Sequence, residues 1–471
     1  MTEHTANTQH NSEPDHKVPV VIIGAGPAGM AAAKECADNG LACLLLDEQH
    51  SKGGQIYRSI TETSDKHQNI LGDDYIAGSK LAKACEHDLI EYAPGSTVWQ
   101  VTRDKKVNYK RHGRSYTVQA GSIILATGAM ERPFPVPGWT LPGVLSCGGA
   151  QILLKSSGVV PNGNVVLAGC GPLLYLLAYQ YIRAGVKIKA IVDTSATSDI
   201  TSALPQLFKA MRAFSYLSKG MAMIKAIKKA NVPIYKGCTN ININGETTVS
   251  SIEFESNGKR HNLDADVVLL HQGVIPNTQI SWSLRASHEW DTQQLCWRPV
   301  TNNWGELDVD GIFVAGDGAA IGGALVAALQ GRNTALQVCV EHNAIDSSER
   351  DKRAATIRAE IQRHLAIRPF IDAVYKPKKE NRIPSGTTLV CRCEAVTASD
   401  IESYVDHGCA GPNQAKAFGR CGMGPCQGRQ CGTTVTELIA SRMHEDAETI
   451  GYYRIRPPIK PITLAELAGD N

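Results

Sequence analysis

The sequence lacks an excess of charge of either sign. Its 48 lysines and arginines nearly cancel its 46 aspartates and glutamates, which argues against a nucleic-acid surface or a polybasic membrane patch. It also lacks any uninterrupted run of about 18 apolar residues, the length a membrane-crossing helix needs. The uncharged stretch Val18 to Ala33 has no basic segment before it and is broken by Gly24, Gly26, Pro27 and Gly29. It therefore reads as strand, turn and helix rather than as the core of an export signal. Without such a signal, the fourteen cysteines are expected in a reducing, cytoplasmic setting, as ligands or buried small groups rather than disulfides. The first sixteen residues, MTEHTANTQHNSEPDH, are polar and expected to be disordered.

What is present is a chain of 471 residues with 43 glycines, too long for one core and suited to an α/β fold with many tight strand-to-helix turns. VPVVIIGAGPAGMAAAKECADNGLACLLLDEQ reads as strand, turn, helix, strand. Gly24, Gly26 and Gly29 take the G-x-G-x-x-G places: tight turn, close backbone approach to a pyrophosphate at the helix start (Pro27, Ala28), and helix–strand packing. The second strand ends in Asp47 and Glu48, of which Asp47, directly after the apolar run, is the expected ribose partner. SKGGQIYR adds Gly54 and Gln55, SIILATGAMERP adds Ala126, Thr127 and Gly128, and GIFVAGDGAA brings Gly316 and Asp317 to a helix start. An aspartate there can accept from ribitol hydroxyls while the helix dipole faces the cofactor.

These segments, in this order and spacing, resemble the two-dinucleotide-binding-domain flavoproteins of the thioredoxin reductase and glutathione reductase kind. The resemblance covers roughly residues 18–340. It implies two Rossmann-like domains, the second inserted in the first, with FAD on the first and third segments.

NVVLAGCGPLLYLLAYQYIRAGVKIKAIVD repeats the plan. Gly169 and Gly171 keep the first two glycines, Leu174 replaces the third, and Asp193 ends the second strand. If this site is occupied, NAD or another adenine nucleotide is expected there rather than NADP, or else the domain serves structure alone. A flavin disulfide reductase also needs two sulfurs beside its flavin. Cys147 in GVLSCGGAQ has Ala150 where its C-x-x-C partner would stand, so disulfide reduction is disfavoured and Cys147 is expected to be a packed small residue. Residues 196–236 are expected to form an amphipathic helical insertion, with Phe208, Met211, Phe214 and Leu217 on one face and lysines opposite; that face is expected to cover its own domain, with docking of a partner as the alternative. His271 in LLHQGVIPN is expected to be structural.

Near the end stand CRCEA (391–395) and RCGMGPCQGRQC (420–431), five cysteines where a tetrahedral site needs four. Cys391 and Cys393 form one pair; Cys421 with Cys426 or Cys426 with Cys431 forms the other, both spaced C-x4-C. Soft thiolates suit zinc or iron–sulfur, and the C-x-C spacing beside a flavin domain favours [2Fe–2S]. The module resembles the bacterioferritin-associated-ferredoxin-like [2Fe–2S] domain. That resemblance implies Cys391, Cys393, Cys426 and Cys431 as ligands, because Cys431 directly precedes the last helix and related subunits carry GMGxCQGxxC without a counterpart of Cys421.

The expected division is 1–16 disordered; 17–150 and 263–345 as the two parts of the FAD domain; 151–262 as the second nucleotide-binding-like domain; 346–385 as linker, charged and helical and then basic and proline-punctuated; 386–445 as the mainly helical [2Fe–2S] domain; and 446–471 as tail. GGQIYR, PGVLSCGGAQ, GCGPLLYLLA and CRCGMGPCQG within this order resemble the A-type subunit of heteromeric amino- and imino-acid dehydrogenases, the opine oxidase, D-hydroxyproline dehydrogenase and hydrogen cyanide synthase group. The resemblance implies an oxidoreductase subunit that takes electrons from a smaller FAD-dependent, amine-oxidase-type partner and passes them to a quinone or other carrier. A further small subunit, and peripheral attachment to the inner face of the cytoplasmic membrane through partners, are compatible with it. The substrate would then sit on the partner, in keeping with the lack of an acid–base constellation near the flavin segments. Two other readings stand beside it: a self-sufficient NAD(P)H-dependent flavin/iron–sulfur reductase, and a flavoprotein whose cysteines hold structural zinc.

Overall fold

The computed structural model describes residues 16–468. The expected N-terminal disorder lies outside those residues except for His16, where the first strand begins.

Two parallel sheets organise the chain. The first contains seven strands, with Ile90–Pro94, Cys43–Asp47, His16–Ile23 and Arg114–Leu125 side by side and parallel. Ile312–Val314 pairs in parallel with the end of Arg114–Leu125, while Lys106–Arg111 and Thr97–Val101 extend its other end as antiparallel strands. Val20, Val21 and Ile22 are fully buried because helices cover one face, and a core that runs from the strands Thr97–Val101 and Lys106–Arg111 into the C-terminal module covers the other. A strand buried on both faces reads as a continuous apolar run, and each such side chain contributes about 1.5–3 kcal/mol. Pro27 opens the helix Pro27–Asp38, whose small alanines let the helix Ala324–Glu341 pack closely against it. The cost of glycine at 331 is offset by that approach, since a Cβ there would overlap the Ala28 carbonyl.

The second sheet is all parallel, in the order Ile234–Tyr235, Ile188–Asp193, Val165–Cys170, Val267–Gln272, Val144–Ser146. Two of its strands, the edge strand Val144–Ser146 and its neighbour Val267–Gln272, lie beyond the 151–262 span read from sequence. Pairing, rather than position in the chain, decides membership of a sheet. A three-stranded antiparallel sheet, Thr239–Asn244, Ser251–Ser256 and Lys259–Asp264, packs beside it.

Two regions differ from their sequence reading. Phe208, Met211 and Phe214, expected to face inward, are 81%, 59% and 58% exposed. The insertion does form helices, Thr197–Ala210 and Phe214–Lys229, but its inward face is made by smaller residues such as Ala203, Ala210 and Ala213. The segment read as a linker, charged and helical at its start, is helical there but is also packed into the fold. Ser347–Leu365 is a helix anchored by Ala354, Ile357 and Ile361, and Arg368–Val374 is another, packed on Thr197–Ala210.

The C-terminal module is mainly helical: Ala398–Asp406, Pro412–Gly419 and Gly432–Met443. A capping box between Thr397 and Asp400 starts the first of these. Its core, with Ile401, Val435, Leu438 and Tyr453, is continuous with the lower face of the first sheet. Half-buried Arg382 and buried Glu437 form an ion pair that ties the last helix to the preceding segment. No helix among the described residues is long and apolar enough to cross a membrane.

Candidate functional site

The first site lies at the carboxyl ends of four parallel strands, where α/β sheets place their ligands. Gly24 has φ of +108°, and a Cβ on it would overlap the Ala126 carbonyl, so the first glycine loop and the Ala126-Thr127-Gly128 segment touch. Gly54 reaches the same place, where a Cβ would stand 2.7 Å from the Gly26 Cα. Gly316 abuts Ala28, a Cβ there falling 2.7 Å from the Ala28 Cβ. Thr127 donates its hydroxyl to the Asn277 carbonyl (3.1 Å), which ties the second segment to the returning chain. Gln55 is exposed; its side-chain oxygen accepts from Arg58 (3.1 Å).

The acids behave differently. Asp47 is buried, and its two oxygens accept from the Ala25 N–H (2.5 Å) and the Gln49 N–H (2.7 Å). Burial raises its pKa, and those two backbone bonds oppose the rise. A carboxylate has about four acceptor sites, so Asp47 keeps capacity for a ribose hydroxyl. Glu48 points outward and pairs with Lys460 (2.8 Å). Asp317 accepts through one oxygen from Gly322 and Gly323 N–H (2.8 and 2.9 Å), leaving the other free for a ribitol hydroxyl. Buried Gln330 Oε1, beside Gly331 at the Ala28 contact, has no partner within the protein. Close backbone approach, acid acceptors and this orphaned polar atom fit an FAD.

The second glycine loop is built on the same steric rule and ends in a different chemistry. A Cβ on Gly169 would overlap the His271 carbonyl, and one on Gly171 would stand 3.0 Å from His271 Nε2. The neighbouring strand end alone requires the first glycine, and a φ of +124° favours the second. His271 is held by Glu131 (Nδ1 to Oε1, 2.6 Å), whose other oxygen accepts from the Gly148 N–H (2.7 Å). Asp193 is fully buried and its oxygens are taken. One accepts from the Ser195 N–H and hydroxyl (2.8 and 2.7 Å), the other from the Tyr175 hydroxyl and the Lys236 ammonium. Tyr375, from the region read as linker, lies 6.4 Å from the Tyr175 ring, and its carbonyl accepts from the Cys170 thiol. Asp193 therefore does not fit a ribose as Asp47 does.

The sequence reading missed Lys236, whose partner is 43 residues away, and Lys155, a lysine at one helical turn from Gln151. Lys155 donates to the Gln55 carbonyl (3.2 Å) and Gln151 (2.9 Å), and burial with nearby Arg58 lowers its pKa from 10.5 to about 7.

The cysteine module gathers three of its five sulfurs into one buried nest, with the other two paired nearby in the chain. The sulfurs of Cys391, Cys421 and Cys431 lie within 4.8 Å of one another and are buried. Cys393, exposed, and Cys426, half-buried, form a second, hydrogen-bonded pair. Hydrogen bonds from Cys421 and Cys431 pull Cys391 down to about 2, and the bond to Cys391 pushes Cys421 up to about 12. The Tyr453 hydroxyl reaches Cys421 Sγ at 3.3 Å and Cys431 Sγ at 3.8 Å. The glycines of this stretch leave room for neighbours: a Cβ on Gly422 or Gly428 would overlap the Tyr453 ring, and one on Gly424 would overlap Cys393. Of the set read from sequence, Cys391 and Cys431 stand together and Cys393 and Cys426 stand together; the geometry adds Cys421 to the former. A buried sulfur triad, with a second thiol pair in the same module, suits a soft metal or an iron–sulfur cluster. Trp282 stacks on Tyr452 with centroids 5.2 Å apart, so an aromatic contact joins the flavin domain to this module.

Residues 18–382 match the family described as pyridine nucleotide-disulphide oxidoreductase, and residues 385–471 match the sarcosine oxidase A3 domain. The chain is 41% identical over 459 residues to the A-type subunit of opine oxidase from Agrobacterium tumefaciens (strain Ach5), covering 95% of this chain and 91% of that protein. It is 30% identical to hydrogen cyanide synthase subunit HcnB of Pseudomonas aeruginosa, over 94% of this chain and 97% of that one. L-proline dehydrogenase from P. horikoshii shares the fold, with a TM-score of 0.71 at 18% identity, covering 97% of this chain and 81% of that one. The chain belongs to the pyridine nucleotide-disulphide oxidoreductase family, and within it to the A-type subunits of heteromeric amino-acid oxidases and dehydrogenases.

Proposed function

We propose that this chain is the electron-accepting subunit of a complex that oxidises the C–N bond of an amino or imino acid of the opine, hydroxyproline or glycine type. A smaller flavin subunit of the amine-oxidase type would carry the substrate, and a further small subunit is compatible with the arrangement. The observation that carries the reading is the pairing of two unlike sites in one chain. A glycine- and acid-lined cleft suited to FAD is packed, through Trp282 and Tyr452, against a module with five cysteines, three of them in a buried nest. Gly24, Gly26, Gly29, Asp47 and Asp317 would hold the FAD. Cys391, Cys393, Cys426 and Cys431 would hold a [2Fe–2S] cluster, with Cys421 and Tyr453 as neighbours that donate to its sulfurs. Bound there, the two groups supply two-electron acceptance and one-electron release to a quinone or other carrier. The chain's own part is to shield one side of the site: Cys391 and Cys431 are about 1% exposed with Tyr452 and Tyr453 beside them, while Cys393 faces solvent. Fourteen free thiols fit a reducing, cytoplasmic setting.

A self-sufficient NADH-dependent reductase is less well supported, because Asp193 has given its oxygens to Lys236, Tyr175 and Ser195. Disulfide reduction is not supported either, since Cys147 is buried with Ala150 in place of a second thiol. The test is anaerobic bleaching of the flavin in the purified chain. Bleaching only when both the amino acid and its partner subunit have been added supports the proposal. Rapid bleaching by NADH in the chain alone would overturn it.

A further inference from the structure

The overall balance of charge conceals a local imbalance. Residues 196–236 carry seven lysines and arginines against Asp199 alone, in a chain whose formal net charge is +2. Two of these cations are used within the protein: Lys219 pairs with Asp74 (2.5 Å), and Lys236 pairs with Asp193. Lys209, Arg212, Lys225, Lys228 and Lys229 have no carboxylate partner among the described residues, and all five are exposed.

The same helices display apolar side chains that a folded domain would ordinarily cover. Ile200, Leu204, Phe208 and Met211 follow at intervals of four, four and three residues, which aligns them along one side of the helix Thr197–Ala210 and its continuation. Phe214 and Met221, seven residues apart, carry the ridge onto the next helix. All six are at least 40% exposed, and Phe208 is 81% exposed. This is not a helix pair still lacking an anchor. Its other side is already docked, with Ala210 and Ala213 buried against Ile367, and with Leu207, Tyr216, Leu217 and Phe370 packed around them.

We propose that this outer face is a lipid-binding surface, which lays the apolar ridge into the headgroup–acyl boundary of an anionic bilayer and sets the flanking lysines on its phosphates. Three features favour lipid over a protein partner. Lysine is depleted at protein–protein interface cores while arginine is enriched, and four of the five unpaired cations here are lysines. Long lysine stems can lie along an apolar layer while their ammonium groups reach phosphate. A ridge of Phe, Met, Leu and Ile beside a cationic rim, in a chain with no membrane-crossing helix among its described residues, is the pattern of an interfacial helix. Each cation close to an anionic membrane raises affinity by about fivefold, so five supply substantial attachment without any covalent lipid. The proposal does not depend on which carrier receives the electrons.

The test uses the full-length chain, alone and with its partner subunits. It is floated with vesicles of phosphatidylcholine, or of phosphatidylcholine with phosphatidylglycerol, at low and high salt. The expected result is flotation with the phosphatidylglycerol vesicles, lost with salt. The triple variant Lys225→Glu/Lys228→Glu/Lys229→Glu should weaken binding by about a hundredfold or more. Phe208→Ser/Phe214→Ser should abolish flotation with unchanged melting and flavin content, since both side chains are exposed. The proposal is overturned if the wild type ignores anionic vesicles, or if Phe208→Ser/Phe214→Ser floats like the wild type. It is also overturned if that variant sheds a partner subunit while the wild type shows no vesicle binding, which would assign the face to a protein.

Discussion

The Tyr453 hydroxyl stands 3.3 Å from the sulfur of Cys421, although 32 residues separate them in the chain. Tyr453 thereby closes the inner side of the cysteine nest, and Gly422 and Gly428 exist in part to admit its ring. Hydrogen bonds to cluster sulfurs tune reduction potential. The surplus sulfur and its tyrosine are therefore expected to adjust a cluster rather than to hold it. Cys421→Ser should retain iron and sulfide with a shifted potential, whereas Cys393→Ser and Cys426→Ser should lose the cluster. Iron and sulfide analysis of the purified variants decides this; loss of iron in Cys421→Ser with retention in Cys431→Ser would exchange the two roles.

The two glycines of the first loop should fail differently. A Cβ on Gly29 would overlap the Gly24 carbonyl, so Gly29→Ala should destabilise the whole fold. A Cβ on Gly26 meets nothing nearer than the Gly54 Cα at 3.8 Å. Gly26→Ala should thus fold normally and bind FAD at least about tenfold more weakly, through lost approach to the pyrophosphate. Melting curves and flavin content separate the two outcomes.

Lys155 gives a pH dependence of predictable sign. Its pKa falls from 10.5 in the free side chain to about 7 in the fold. Between those values the unfolded chain holds a proton that the folded one lacks, so stability rises with pH across that window, by up to about 1.4 kcal/mol per unit. Below about pH 7 both states are protonated and the cost of burying the cation is constant. Lys155→Met should be more stable than the wild type at pH 7 and should lose most of the rise from pH 7 to 9. Denaturant titrations at several pH values check this.

Much of this architecture was legible in sequence. The strands His16–Ile23, at its Val20 to Ile23 end, and Val165–Cys170 are short apolar runs followed by glycines at fixed offsets, and local sterics alone require that pattern. What was not legible depended on partners far along the chain. Asp47 and Asp193 occupy the same place in the strand–helix–strand plan, yet only the fold shows Lys236 and Tyr175 closing the second acid. The outward turn of Phe208 and Phe214 was equally hidden, because amphipathic spacing gives a helix two faces without saying which is inner. Ile357 and Ile361 did carry a readable helical period within the charged segment taken as linker.

The ion pair of Lys236 with Asp193 invites its own test. Removing the ammonium leaves a fully buried carboxylate with only neutral donors. Lys236→Met should cost about 2 kcal/mol, less than a fully buried pair would because Lys236 is 40% exposed. Lys236→Met/Asp193→Asn should recover part of that loss, since the neutral amide needs no counter-charge. Chemical denaturation of the two variants measures both values.

The central claim is that electrons taken from an amino or imino acid on a partner subunit reach an iron–sulfur centre held by this chain. Low-temperature electron paramagnetic resonance of the anaerobic complex, frozen after addition of its amino substrate, addresses it most directly. The account predicts a reduced [2Fe–2S] signal that is absent from the Cys393→Ser complex and is not produced by NADH. Flavin bleaching by the amino substrate with no iron signal in the wild type, or a full signal from NADH with this chain alone, would contradict it.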